Sequence, residues 1–183
     1  MRLQPPCEID PADRMIIKIG EMMREIDANT VTETISGLLQ DACYRLPADA
    51  IAALRRASER EESPAARNVL VKLLENAEIA TRDEVPLCQD TGMAVVFLEL
   101  GQDVHVIGGD LYEAVQEGVR RAYADGYLRK SVVAQPFSAR INTKDNTPAV
   151  IHTTIAPGEK IKITALSKGF GSENMSRLAM LTP

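Results

Sequence analysis

Residues 88–92 place a thiol, a side-chain amide, a carboxylate, a hydroxyl and a glycine in consecutive positions: Cys88, Gln89, Asp90, Thr91 and Gly92. A thiolate is a ligand for a soft metal such as iron in a cluster, while an adjacent carboxylate and amide can hold a polar substrate or move a proton beside it. A small packed cysteine next to a turn fits the same spacing, so the pentapeptide alone leaves both readings open. A second chemistry-bearing stretch runs from Tyr127 to Asn146, where Arg129, Lys130, Arg140 and Lys144 suit either an anion or a solvated loop. A third is Lys168-Gly169-Phe170-Gly171-Ser172. Glycines just ahead of a helix let backbone amides approach an anion; elsewhere they mark a turn.

The totals bound what these residues can belong to. A chain of 183 residues, 45% hydrophobic and 26% charged, can bury one good core or two small ones and is neither disordered nor fibrous in composition. Its net charge of -5 draws it to neither nucleic acid nor an anionic membrane, so an anionic ligand must be met by local cations. The longest apolar run, Met93 to Leu98, is too short to span a bilayer, and the N-terminus lacks the charged and apolar parts of a signal peptide. The expected location is the cytoplasm. Cys7, Cys43 and Cys88 are odd in number and far apart, which makes neither a disulfide framework nor a C-x-x-C metal knuckle.

The elements that must position the candidate residues follow from periodicity. Met1 to Asp10 reads as an extended arm, and Pro11 to Ile26 carries Met15, Ile16, Ile19, Met22, Met23 and Ile26 at helical spacing. A second helix follows Asn29 or Thr30, with Val31, Ile35, Leu38, Leu39 and Ala42 on one face and Cys43 at its edge, read as a core cysteine. Pro47 suits the first turn of a third helix, and the charged run Glu59 to Glu62 is its solvated end. Ser63-Pro64 opens a fourth, which runs through Leu70, Leu74, Ala77 and Ala80. Pro86 disfavours helix at Val85 and closes it just before Cys88.

After Gly92 the period changes. Met93 to Leu100 reads as a buried strand and Val104 to Ile107 as a second. Asp110 is an N-cap with Glu113 at the capping-box position, Leu111, Val115, Val119 and Ala122 form the buried stripe, and Gly126 is a left-handed stop. Ala149 to Ile155 and Ile161 to Leu166 read as strands joined by a Pro157-Gly158 type II turn, hence as a hairpin. Ser172 caps a last helix with Met175, Leu178, Ala179 and Leu181 on its stripe. The expected class is mixed α+β, a helical region over residues 1–84 packed on an α/β region over residues 85–183.

Taken in order, L-E-N-A-E-I-A (Leu74 to Ala80), P-L-C-Q-D-T-G (Pro86 to Gly92), G-G-D (Gly108 to Asp110), L-R-K-S (Leu128 to Ser131), N-T-K-D-N-T-P-A (Asn142 to Ala149) and K-G-F-G-S-E-N (Lys168 to Asn174) carry a resemblance. They resemble the α part of the iron-sulfur class of fumarate hydratases and of the related L-tartrate dehydratases, from about residue 12 onward. The resemblance implies a hydro-lyase interconverting fumarate and (S)-malate, a step of the tricarboxylic acid cycle. It implies a [4Fe-4S] cluster held by three cysteines, with one iron open to the substrate's hydroxyl and carboxylate. On this pattern Cys88 is the first cluster ligand, Gln89 and Asp90 contact a small dicarboxylate, and Asp90 also joins a proton relay. Arg129 pairs with a substrate carboxylate, and Gly171 closes a loop whose backbone approaches the substrate.

Two departures accompany the match. The family loop reads K-G-G-G-S where this chain has Phe170, and neither Cys7 nor Cys43 stands at a ligand position, so the other two cluster cysteines are expected beyond Pro183. The resemblance therefore implies an N-terminal portion of an α subunit, inactive alone, that oligomerises and docks a β subunit or fused C-terminal region through exposed apolar surface. The alternatives are the α component of an L-tartrate dehydratase and a non-catalytic remnant or assembly module.

Overall fold

The computed structural model describes the backbone of residues 8–10 and 14–16 and the chain from residue 23 to residue 180. Strands β1 (Glu8–Asp10) and β2 (Arg14–Ile16) pair antiparallel, and β3 (Arg24–Asp27) precedes the first helix. The helix expected from Pro11 to Ile26 is therefore absent where that stretch is described. Arg24–Asp27 instead runs parallel to β5 (Val104–Ile107), with Ile26 opposite Val106, and both side chains pack on the core. Burial along a strand, with Asp27 already committed as a helix cap, overrides the helical spacing. Ile19 and Met22 of that pattern, and residues 1–7 of the expected arm, lie outside the described residues.

Two helices cover one face of the main sheet. Helix α1 (Ala28–Tyr44) starts at Asp27, whose carboxylate accepts from the Asn29 amide at 2.7 Å, and buries Val31, Ile35, Leu39 and Cys43 along one stripe. Helix α4 (Leu111–Asp125) starts at Asp110, which accepts from the Glu113 amide at 2.9 Å, and buries Val115, Val119 and Ala122 completely. The Thr32 hydroxyl ties the two by donating to the Ala114 carbonyl at 2.9 Å. Gly126 ends α4, but at φ -83; the left-handed residue is Tyr127 at φ 53, because the Gly126 carbonyl is held by the buried Tyr44 hydroxyl at 2.9 Å. Between these helices in sequence, α2 (Ala48–Arg60) and α3 (Pro64–Asp83) pair with each other. Helix α2 buries no residue fully and α3 only Ala77 and Ala80, so this pair stands largely in solvent, with Val69, Leu73 and Ile79 exposed.

The main sheet has the order β8-β4-β9, in which β4 is Met93–Gly101, β8 is Val150–Ala156 and β9 is Ile161–Lys168. Strand β8 runs parallel to β4 and β9 antiparallel to it. The expected hairpin is thus split: its two arms bond to β4 rather than to each other. Ala94, Val96 and Leu98 of β4 are buried under the helices and Val95 is half-buried on the other face, which suits β4 to the centre. The turn between the arms, with Gly158 at φ 102, passes over the end of β4, where Gly101 donates to the Lys160 carbonyl at 2.9 Å and Gln102 to the Ala156 carbonyl at 2.8 Å. A Cβ on Gly101 would lie 2.3 Å from the Gly158 carbonyl oxygen, so only glycine fits under the crossing.

The mixed α+β class is as expected, and α1 packs on the α/β region. The last helix is shorter than its pattern: α5 (Ser172–Met175) is capped at Gly171, not Ser172, and residues 176–180 leave it. Met175, Leu178 and Met180 are almost fully exposed there, so the apolar stripe has nothing among the described residues to bury against, and a short helix needs that contact. Leu181 lies outside the described residues. No helix among them is long and apolar enough to cross a membrane.

Candidate functional site

Sheet topology brings four loops to one end. Strand β4 begins where β9 ends, with Met93 opposite Lys168, and parallel β8 begins beside it, with Val150 opposite Val95. The segments before Met93, after Lys168 and before Val150 are therefore neighbours, and Leu128 after α4 is buried in the same core.

The Cys88 loop is aimed from the helical side. The Leu87 amide donates to the Cys43 carbonyl at the end of α1, at 2.9 Å, and the Leu87 carbonyl accepts from the Asn76 side chain of α3, also at 2.9 Å. The left-handed Glu84, at φ 50, turns the chain out of α3 toward these anchors. Cys88 then emerges exposed. Its sulfur accepts from the Asp90 amide at 3.4 Å, and the thiol donates to the Gln89 side-chain carbonyl at 3.4 Å. At the far end Gly92, at φ 51, lies so close to β9 that a Cβ would fall 1.6 Å from the Lys168 carbonyl oxygen.

Asp90 and the glycine loop form one unit. The Gly171 amide donates to Asp90 Oδ2 at 2.7 Å, and the Phe170 amide donates to the same carboxylate at 3.0 Å. Two successive amides converging on one carboxylate form an anion-binding nest, and the anion in it is the protein's own. Those bonds, Gly171 first, hold the Asp90 carboxyl below the usual carboxylate range, with the Gly92 amide and the Arg129 charge adding to them. The loop is braced again at its base. Gly169 donates to Glu173 Oε2 at 2.7 Å, and Lys168 Nζ reaches the Gly169 carbonyl, Asn174 Oδ1 and the Glu173 carboxylate. Phe170 is absent from the residues with positive φ and its side chain is 43% exposed, so the bulky residue lies neither in a strained backbone nor under the loop.

Arg129 arrives on a third loop. Its carbonyl accepts from the Thr91 hydroxyl at 3.0 Å, while the following Lys130 carbonyl accepts from Asn142 Nδ2 at 2.8 Å. The guanidinium side is exposed, close enough for its charge to lower Asp90. Beneath the loops lies a buried polar layer. Tyr123, pushed up to about 12 by burial and so a neutral donor, donates a hydrogen bond to the Thr91 carbonyl at 2.6 Å, and Ser167 donates to that same oxygen.

The expected residues Cys88, Gln89, Asp90, Arg129 and Gly171 therefore share one exposed patch. Lys130 is tied into the same loop by its carbonyl. Of the cations grouped with them by sequence, Arg140 lies in the turn between the small paired strands β6 (Val133–Ala134) and β7 (Ile141–Asn142), and Lys144 follows β7 with its amide donating to Asn142 Oδ1 at 2.8 Å; both take left-handed φ values, 51 and 72. Thr91, Tyr123, Asn146 and Ser167 were missed as positioning groups, because each acts across more than thirty residues. An exposed thiol beside an amide donor fits one ligand of an iron-sulfur cluster. Cys43 does not fit: it is buried, and burial pushes its thiol up. Cys7 lies outside the described residues, and among these no three His, Cys, Asp or Glu side chains gather to hold a metal.

Comparison with known proteins gives a consistent picture. The family model for fumarate hydratase (fumerase) matches residues 32–183. The putative L(+)-tartrate dehydratase subunit alpha of Methanocaldococcus jannaschii is 36% identical over 158 residues, which is 84% of this chain and 55% of that protein. The anaerobic class I fumarate hydratase of Escherichia coli K12 is 33% identical over 173 residues, 90% of this chain and 31% of that protein. Fumarate hydratase 2 of Leishmania major is 31% identical over 171 residues, again 90% of this chain and 30% of that protein. The chain thus spans about half of the first relative and under a third of the other two.

Proposed function

The chain belongs to the fumarate hydratase (fumerase) family, and from that premise we propose that it is the α-type component of a hydro-lyase interconverting fumarate and (S)-malate. Water adds across the double bond, hydroxyl to one carbon and proton to its neighbour. The observation that carries the reading is the patch itself: an exposed thiol, a carboxylate-binding amide nest and the Arg129 loop at one end of one sheet.

Cys88 supplies one ligand to a [4Fe-4S] cluster, and the other ligands come from outside the described residues. When bound, the cluster acts as a Lewis acid on the substrate's hydroxyl and carboxylate. Arg129 offers a planar fork to one carboxylate of the dianion, for which a net acidic chain needs a local cation. Gln89 offers its side-chain amide, Gly171 the backbone of the loop. Asp90, kept ionised by the loop amides, orients that loop toward the substrate and stands on the accepting side of any proton transfer. Within residues 1–84, helices α1 to α3 act as the platform, and residues 85–183 act as the cluster- and substrate-binding region. A β subunit or further α-type sequence closes the open side of the patch, in a cytoplasmic oligomer.

The identity to a protein named as a tartrate dehydratase α subunit favours a second reading, dehydration of L-tartrate by the same machinery. Anaerobic iron and sulfide loading of the complete enzyme, followed by turnover of fumarate, (S)-malate and L-tartrate, separates the two. The expected result is fumarate hydration that Cys88→Ser abolishes. Loaded enzyme that converts none of the three acids, or Cys88→Ser with full activity, overturns the proposal.

A further inference from the structure

Asn146 has no solvent-exposed surface, and its side chain joins two of the loops that form the patch. Its Oδ1 accepts from the amides of Ser131 at 2.7 Å and Val132 at 3.0 Å, directly after Arg129 and Lys130. Its Nδ2 donates to the Gly92 carbonyl at 3.1 Å, two residues after Asp90. The acceptor is directed to the cation loop and the donor to the thiol loop.

The backbone of Asn146 is itself left-handed, at φ 64, a conformation that asparagine tolerates better than most residues with a Cβ. The segment around it is braced from α4. Asp145 accepts from the Thr147 amide at 3.0 Å and from Arg120 at 3.3 Å, so Asn146 is presented from a fixed base.

We propose that Asn146 is a positioning residue for the substrate. It sets the register between the loop bearing Arg129 and the loop bearing Gln89 and Asp90, and with it the spacing at which the two ends of a small dicarboxylate are received. The inference rests on the dicarboxylate reading above and adds a residue to it. The side-chain chemistry is specific: aspartate keeps the acceptor but turns a carboxylate toward the Gly92 carbonyl, while glycine keeps the backbone and loses all three bonds.

The test is made on the complete iron-loaded enzyme, with Asn146→Gly, Asn146→Asp, Arg129→Ala and the double variant Asn146→Gly/Arg129→Ala. Misplacing a binding group by about 1 Å costs up to about a hundredfold, so Asn146→Gly is expected to raise KM for the dicarboxylate roughly tenfold or more and to lower kcat less. Because Asn146 sets the placement of Arg129 against the Gln89–Asp90 loop, part of its effect is lost with the guanidinium, and the double variant should fall short of the product of the two single effects. Amide hydrogen exchange on the same variants gives a readout independent of turnover: protection falls at Ser131, Val132 and residues 89–93 and is kept in β4 and β8. If Asn146→Gly does not fold, Asn146→Asp supplies the KM and exchange measurements.

Unchanged KM, effects that multiply in the double variant, or exchange that rises equally throughout β4 and β8 each overturns the inference. Wild-type enzyme that converts neither fumarate nor tartrate overturns the hydratase reading and this inference with it. Active wild-type matched by active Asn146→Gly overturns this inference alone.

Discussion

Gly92 is where the Cys88 loop meets the sheet, and replacing it by alanine tests whether that junction holds the site together. Two costs act at once. The backbone is at φ 51, where a Cβ costs about 1–2 kcal/mol. That Cβ would also lie 1.6 Å from the Lys168 carbonyl oxygen and 2.7 Å from the Gly169 nitrogen, and both are backbone atoms that no rotamer change removes. Forced overlap of this kind costs about a further 1–3 kcal/mol, giving about 2–5 kcal/mol in all. At roughly 2–4 °C per kcal/mol for a chain of this size, the melting temperature should fall by about 4–20 °C in thermal unfolding followed by circular dichroism. Gly158→Ala is the matched control. Gly158 also has positive φ, at 102, but a Cβ there meets nothing within 4 Å, so only the backbone cost should appear. Equal losses in the two variants would refute the reasoning, since the overlap with Lys168 would then contribute nothing.

Asp90→Asn should loosen the glycine loop without unfolding the protein. The Asp90 carboxyl is held below its ordinary value of about 3.9, so its contribution is present above that pH and lost as the pH falls through the lower folded value. Exchange protection of the Phe170 and Gly171 amides should therefore decline only on the acid side of that value in wild type, and be low at every pH in the variant. In a Cys7→Ser background, one thiol should react quickly with a disulfide reagent under native conditions, and Cys88→Ser should remove that phase. Cys43, buried with its thiol pushed up, should react only after denaturant is added. Tyr123→Phe removes a buried 2.6 Å hydrogen bond to the Thr91 carbonyl, which keeps Ser167 as a donor, and should cost about 1 kcal/mol in urea unfolding; no measurable loss would mean that Ser167 suffices alone.

What the sequence disclosed was chiefly local. Ser63 and Asp110 act as the caps their positions announced, and Met93–Gly101 is the strand its apolar run described, buried on one face only, since Phe97 and Glu99 are exposed on the other. The misreadings share a cause. Proline and glycine correctly marked the turn at residues 157–158, yet two strands with a good turn between them read as a hairpin, and nothing nearby says that β4 lies between them. Arg24–Asp27 carried a helical spacing that a distant partner, Val104–Ile107, converted to strand. In the exposed patch, Cys88, Gln89, Asp90 and Arg129 announced themselves as candidates by residue type and motif. Asn146 did not, because its role exists only once Gly92, 54 positions earlier, is beside it.

The split hairpin also governs the order of events in folding. A contiguous β-turn-β segment can zip from its turn in microseconds, whereas here β8 and β9 must each find β4, whose partners lie some fifty to seventy-five positions along the chain. Loop closure on that scale delays the sheet until residues 150–168 are free to search for β4. The Asp90 nest depends on β9 ending beside Met93, so it can close only after this search succeeds. Thiol, cation and amide nest are therefore brought together by the long-range pairing of β4 with β8 and β9 and not by local sequence.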